Sequence, residues 1–449
     1  MSEGSAPPVP TPPAFAETIF APATAPGRAA IAIVRISGPA AGQALIALIG
    51  TLPQPRRARH ARLCDPGSGA PIDDGIALWF PAPHSVTGED IAELQIHGSR
   101  AVIAALTDVL RRLGLRLAEP GEFTRRAFFN HKLDLVQAEA IADLTAAETE
   151  VQRRQALRQL DGELGTIYHG WSARLLHVLA HLEAAIDFPD EDLPLAIDAE
   201  VGAETAALVA EIDTHLVDGR RGERLREGIT IAIVGPPNAG KSSLLNALSQ
   251  REAAITSPIA GTTRDVIEVA IDLAGFPVVL ADTAGLRESA DIVEQEGLRR
   301  AVARAETAEM RLFVFDARRP EDAVGASAWP GRDTLLVANK IDLANDPALP
   351  HGALPVSALT GVGLGDLVAT LAGRVAADYD TAAPLLTRAR HRASLEDTRE
   401  ALGRSLAASD PELRAEDLRI AWRSLGRITG SVDVEDLLDV IFADFCIGK

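Results

Sequence analysis

Residues 229–246, ITIAIVGPPNAGKSSLLN, decide the fold of the central part of this chain. The run from Ile229 to Val234 is β-branched and small apolar, as a buried parallel strand requires, and it breaks at Gly235-Pro-Pro-Asn-Ala-Gly240-Lys241-Ser242 before an amphipathic run begins. The order is strand, phosphate loop, helix. The glycines let backbone N–H groups turn inward around phosphate oxygens, and the helix that follows offers the positive end of its dipole. Lys241 adds a point charge on the terminal phosphates, Ser242 a hydroxyl for magnesium, and Asn238, Ala239, Gly240 and Ser243 complete the cradle. The pattern alone could serve ATP.

Four further motifs follow in fixed order. Val278-Val-Leu-Ala-Asp282-Thr283-Ala284-Gly285 is an apolar strand ending in an Asp that can reach magnesium through water, then a Gly whose N–H can approach the γ-phosphate. Thr334 to Asn339-Lys340-Ile341-Asp342 is a third strand, and Asp342 can accept two hydrogen bonds from guanine that adenine cannot offer. That selects GTP over ATP. Ser357-Ala358 fits a loop contacting the base through backbone groups, and Thr263, in the polar loop 256–265, can close on magnesium. Each motif alone could be a loop or strand end, but five in register share no such explanation.

Leu286 follows Gly285, where many small GTPases place a water-orienting Gln. Hydrolysis must be assisted from elsewhere. The sequence offers a bound cation near the phosphates, for which Asn238 could supply an amide oxygen, and a carboxylate among Glu288, Glu294 and Glu296.

Around this core the 449 residues suggest roughly three domains. A tail, 1–14, is rich in proline and expected to be disordered. Residues 15–130 read as a mixed α/β unit, with strands at 29–38, 73–80 and 91–98 and helices at 39–49 and 99–114. Residues 131–227 and 379–449 are helical in pattern and 228–378 form the nucleotide domain, so one helical domain is expected to be interrupted by another domain. Within 15–130, Arg35, Glu93 and His97 are polar residues in apolar strands. The plain structural reading is an Arg35–Glu93 ion pair and a satisfied core histidine at His97.

The net charge of −19 and a pI near 5.0 exclude a general basic surface for nucleic acid, so any RNA contact is local or shared with a partner. Two distant cysteines, Cys64 and Cys446, and no apolar run of 18 residues lead to the expectation of a reduced, soluble cytoplasmic protein without membrane contact. Cys446 admits three readings: a buried free thiol, a prenylation site that Gly448 and Lys449 argue against, and a reactive thiol beside Lys449.

Beyond the shared GTPase motifs, PGRAAIAIVRISG, TGEDIAELQIHG, GEFTRRAFFNHKLDLVQAEAIADL, DFPDED and the closing FCIGK are diagnostic. With them the chain resembles the tRNA-modification GTPase family MnmE (TrmE), of the TrmE-Era-EngA-YihA-Septin-like group. The resemblance implies a multidomain fold: an α/β N-terminal tetrahydrofolate-binding domain that also forms a homodimer, an all-α helical domain, and an inserted α/β P-loop (Ras-like) G domain activated by potassium. It implies an FAD-binding partner, MnmG, in a heterotetramer that adds an aminomethyl or carboxymethylaminomethyl group to carbon five of the wobble uridine of certain tRNAs. The one-carbon unit comes from methylenetetrahydrofolate, and the folate site takes a derivative of that kind or the 5-formyl form.

Carried over by resemblance, Arg35, Glu93, Lys132 and Lys449 match the folate site, and Asn238, Ser257, Ile259 and Thr262 the potassium site. Ser242 and Thr263 match the magnesium ligands, Glu294 the carboxylate acting on the attacking water, and Cys446 the terminal thiol. Ser257 departs from the family's frequent Thr. The competing function is a regulatory GTPase of ribosome assembly, which usually appends a basic RNA-binding module; the stretch 385–445 has no GXXG loop in a basic setting.

Overall fold

A computed structural model describes residues 17–187, 196–217, 220–251, 267–282, 306–329, 333–379, 386–432, 435–443, 445, 446 and 448. They fall into two compact units, one of residues 1–142, 159–210 and 394–449, the other of 143–158 and 211–393.

In the first unit the period-two pattern of the N-terminal region becomes a six-stranded sheet: β1 (Ile19–Pro22), β2 (Ala29–Ser37), β3 (Arg59–Cys64), β4 (Pro71–Phe80), β5 (Ile91–Gly98) and β6 (Arg116–Leu117). Their spatial order is β3-β4-β5-β2-β1-β6, antiparallel except where β1 meets β6. Ala32, Val34 and Ile36 of β2 face a core shared with Leu94 and Ile96 of β5. That core is closed by α1 (Ala41–Ile49) and α2 (Arg100–Arg112) through Leu45, Leu48, Leu106 and Leu110. Ser99 starts α2 by accepting from Val102 N at 3.2 Å, a cap worth about 1 kcal/mol. Alternation sends Arg35 and Ser37 to the opposite face of the sheet.

The same unit contains α3 (Glu122–Phe129), most of α4 (Leu135–Ala146), α6 (Glu163–Asp187) and most of α7 (Ala196–Leu216), while α5 (Glu150–Leu160) lies in the second unit up to Arg158. α8 (Arg221–Glu227) belongs to the second unit.

The second unit is built on β7 (Ile229–Val234), β8 (Ile267–Leu273), β9 (Phe276–Asp282), β10 (Met310–Asp316), β11 (Asp333–Asn339) and β12 (Leu354–Pro355), ordered β12-β11-β10-β7-β9-β8. All neighbours run parallel except the β8–β9 hairpin. β7 and β10 are buried along their whole length, and for β7 this accords with its largely apolar sequence. One face packs on α9 (Lys241–Arg251) and α10 (Leu364–Tyr379) through Leu244, Leu248, Leu367 and Leu371, and the other gathers Val234, Phe313 and Phe315. The C-terminal ends of β7, β9, β10 and β11 therefore share one rim, where open parallel sheets bind ligands.

Beyond α10 come α11 (Ala389–Ala407), α12 (Pro411–Thr429) and α13 (Glu435–Ala443). Asp410 caps α12 from Glu412 N and Leu413 N, and Gly430 ends it with φ 84°. Among the described residues no helix is long and apolar enough to cross a membrane.

His97 corrects the sequence reading. It is exposed rather than a core residue, and its Nδ1 lies 2.8 Å from Asp73 Oδ1 while its backbone N donates to Asp73 Oδ2. Alternation places Glu93, Gln95 and His97 on the face opposite Leu94 and Ile96, away from the core that α1 and α2 close. The Arg35–Glu93 ion pair is present.

Candidate functional site: a phosphate loop and a base-reading strand end

The loop between β7 and α9 takes positive φ at Gly235 (139°), Asn238 (63°) and Gly240 (91°). Two of these could not carry a side chain. A Cβ on Gly235 would stand 2.0 Å from Val314 O, and one on Gly240 would stand 2.3 Å from Asn339 Nδ2. Lys241 is buried, and its Nζ donates to Gly235 O at 2.8 Å and Pro236 O at 2.9 Å, so the ammonium is held inside the loop that it follows. Burial pushes its pKa down, and Asp282 opposes that shift.

At the first turn of α9, Ser242 Oγ donates to Asp282 Oδ2 at 2.6 Å. A hydroxyl and a carboxylate side by side at the strand ends are the hard oxygen donors that magnesium takes, so these residues fit that ion. Asn238, in the loop between β7 and α9, is exposed and carries an amide oxygen of the kind potassium accepts.

Asn339 joins the phosphate loop to the turn that carries Ala358. Its Nδ2 donates to Ala239 O at 2.9 Å, and its Oδ1 accepts from Ala358 N at 3.0 Å. Lys340, with φ 64°, sends Nζ to Asn238 O at 2.5 Å and to Asp316 Oδ2 at 3.0 Å. Asp342 stands exposed in the short turn Ile341–Leu343, in electrostatic reach of Arg318. Ser357 is buried and its Oγ accepts from Thr360 N, shaping the turn that presents Ala358. Hydrogen bonds thus tie Asn339 to Ala239 and Ala358, Lys340 to Asn238, and Ser242 to Asp282, while Lys241 is bonded to Gly235 and Pro236 of its own loop; Gly240, Ser243, Asp342 and Ser357 adjoin these residues in the chain.

Asp316 was missed by the sequence reading. The signal was available: Met310–Asp316 is an apolar run ending in Asp, as Phe276–Asp282 is. Hydrogen bonds from Arg318, with help from Lys340, hold its carboxyl well below the usual range despite partial burial.

In the first unit, Arg35 and Glu93 are direct partners across β2 and β5, with Arg35 Nε and Nη2 each 2.9 Å from Glu93 Oε1. The Arg35 guanidinium lies 5.7 Å from the centre of the Phe123 ring. Arg35 and Glu93 stay partly exposed and could hydrogen-bond a polar ligand, whereas the Phe123 ring is buried in the core with Ile19 and Ala21. Lys132 Nζ donates to Pro83 O at 2.9 Å.

The closing segment reaches the same strands. Gly448 packs so tightly on β1 that a Cβ would fall 2.3 Å from Pro22 O, and β1 pairs Ala21 with Arg35. Cys446 is exposed, which removes the buried-thiol reading. Ser257, Ile259, Thr262, Thr263, Thr283, Ala284, Gly285, Leu286, Glu288, Glu294, Glu296 and Lys449 lie outside the described residues.

Behind Arg35 is an ionic network that the sequence reading did not assemble. Arg126, 1% exposed, donates through Nη1 to both oxygens of Glu89 and to Glu17 O, and through Nη2 to Glu122 Oε1 at 2.9 Å. Ser37 Oγ donates to Glu89 Oε2 at 2.7 Å, and Arg116 holds Glu122 with two further bonds. The helix carrying Phe123 is thereby fixed to the strand carrying Arg35.

Two family descriptions match the chain: "GTP-binding protein TrmE N-terminus" over residues 18–132 and "MnmE helical domain" over residues 135–446. The chain belongs to the MnmE family. Proteins called tRNA modification GTPase MnmE from Parvibaculum lavamentivorans and Paramagnetospirillum magneticum are each 57% identical to it, over 96% and 97% of this chain and 100% of theirs. One from Rhodospirillum rubrum is 54% identical over 96% of this chain and 99% of its own. The MnmE assignment thus spans both the sheet bearing Arg35 and the phosphate loop.

Proposed function

We propose that this chain is a potassium-activated GTPase that gates a tRNA modification. With an FAD-dependent MnmG partner it adds an aminomethyl or carboxymethylaminomethyl group to carbon five of the wobble uridine, using a methylenetetrahydrofolate-derived carbon. The observation that supports this most is the linkage of Asn339 to both Ala239 and Ala358 in a chain alike over 96% of its length to a tRNA modification GTPase.

In this reading Lys241 and the loop 238–243 hold the phosphates, and Asp342, Asn339, Lys340, Ser357 and Ala358 read guanine. Ser242 and Thr263 would ligate magnesium, with Asp282 behind them. Asn238, Ser257, Ile259 and Thr262 would hold potassium, which supplies positive charge where the transferring phosphoryl group gains negative charge. Thr283, Ala284 and Gly285 sense the γ-phosphate, and Glu294 orients the attacking water. Arg35, Glu93, Lys132 and Lys449 bind the folate, and Cys446 is the accessible thiol beside it. The chain acts as a cytoplasmic homodimer and joins MnmG in a heterotetramer.

The test is analysis of wobble uridines in cells with and without this chain. Loss of the carbon-five substituent on deletion, restored by the intact gene but not by an Arg35→Ala version, is expected. Unchanged uridines would overturn the reading in favour of a regulatory GTPase.

A further inference from the structure

Asp316 ends β10 at the rim where the base-reading residues gather, and its carboxylate is nearly covered. Oδ1 accepts from Arg318 N at 3.0 Å and Arg318 Nε at 2.9 Å, and Oδ2 accepts from Arg318 Nη2 at 2.7 Å and Lys340 Nζ at 3.0 Å. Lys340 Nζ is held on its other side by Asn238 O. The ammonium therefore spans the phosphate loop and the end of a different strand.

We propose that Asp316 is a positioning residue for guanine recognition, fixing Lys340 against the phosphate loop so that Lys340 and the neighbouring Asp342 meet the purine in a preset arrangement. The inference rests on reading the site as one for guanine nucleotide. A lysine side chain has many rotamers, and one already tethered at its tip gives up little freedom when a ligand arrives. Asp316 supplies that tether on a rigid strand. Arg318 completes it by occupying the remaining carboxylate lone pairs, which keeps the carboxylate aimed. Its positive charge also stands within reach of both Asp316 and Asp342, two carboxylates that would otherwise repel each other at one rim.

The test measures GDP dissociation and the KM and kcat for GTP in the full chain carrying Asp316→Ala, Asp316→Asn, Lys340→Ala, or Asp316→Ala with Lys340→Ala. Loss of one charge-assisted hydrogen bond predicts GDP release about tenfold faster and KM raised about tenfold for Asp316→Ala, with kcat changing far less. Asp316→Asn, which keeps an acceptor oxygen, should recover part of the loss. In the Lys340→Ala background, removing Asp316 should add almost nothing, because its effect passes through that ammonium. Should Asp316→Ala weaken GDP equally with and without Lys340, or leave release unchanged, the inference is overturned. If the unaltered protein fails to bind GDP, the guanine-nucleotide reading itself falls, a result the variants cannot imitate.

Discussion

Ser242 Oγ donates to Asp282 Oδ2 across 2.6 Å, tying the first turn after the phosphate loop to the end of the adjacent parallel strand. The two oxygens belong to segments 40 residues apart, and only the order of the strands brings them together. Replacing Ser242 by Ala removes the hydroxyl proposed as a magnesium ligand and leaves Asp282 without this donor. Magnesium-dependent GTP turnover should fall by at least about tenfold, the order expected for losing one charge-assisted contact. Titration of magnesium against turnover checks this, and an unchanged half-saturating concentration would contradict it.

Asn339 is buried and serves Ala239 O and Ala358 N at once. Its replacement by Ala strands one acceptor and one donor, each costing about 1–3 kcal/mol if no water reaches it. GDP affinity should drop by about tenfold to a hundredfold, together with the melting temperature. Calorimetric titration and a thermal melt read the two effects separately.

Gly240→Ala should be worse for nucleotide binding than its single added methyl suggests. The new Cβ would collide with Asn339 Nδ2, and φ of 91° is strained for any L side chain. Loss of measurable GDP binding with the fold retained by circular dichroism is expected, and wild-type affinity would refute this account of the loop.

The phosphate loop and the ends of β9 and β11 were legible because each is a polar motif at the end of an apolar run, and the parallel order of the strands in the sheet sets them on one rim. The strands β3, β8 and β10 carried no motif that was read, and Asp316 went unseen with β10. His97 was misread for a related reason. Its strand is apolar on one side, but whether the other side is covered depends on elements distant in sequence. Arg126 sat inside a diagnostic stretch, yet its partners Glu17 and Glu89 come from elsewhere, and no periodicity announces an ion network.

That network should be costly to break. Arg126→Met leaves Glu89 and Glu122 without their shared guanidinium, and removal of one partner from a buried pair typically costs about 3–5 kcal/mol. Weakened folate binding together with a lower melting temperature is expected, whereas a melt identical to wild type would show the network to be incidental.

Glu122 gives the network a pH signature. Burial pushes its carboxyl up, but hydrogen bonds from Arg116, Glu119 N and Arg126 outweigh it and leave the pKa below the ordinary 4.5. A carboxyl more acidic when folded contributes stability that is present above its unfolded pKa and is lost as pH falls through the folded value. Melting temperature should therefore decline below about pH 4.5, less steeply in Glu122→Gln, which starts lower at neutral pH. Parallel pH profiles for the two proteins would contradict the assignment.

In the proposed function, the phosphate loop tied to the end of β11 through Asn339 serves a GTPase assisted by a monovalent cation. The decisive measurement is turnover of GTP and of ATP, each in potassium and in sodium with magnesium present. The account predicts hydrolysis of GTP, faster in potassium, with that advantage lost in Asn238→Ala and with no ATP turnover in either salt. Equal rates for the two nucleotides, or for GTP in the two salts, would contradict it.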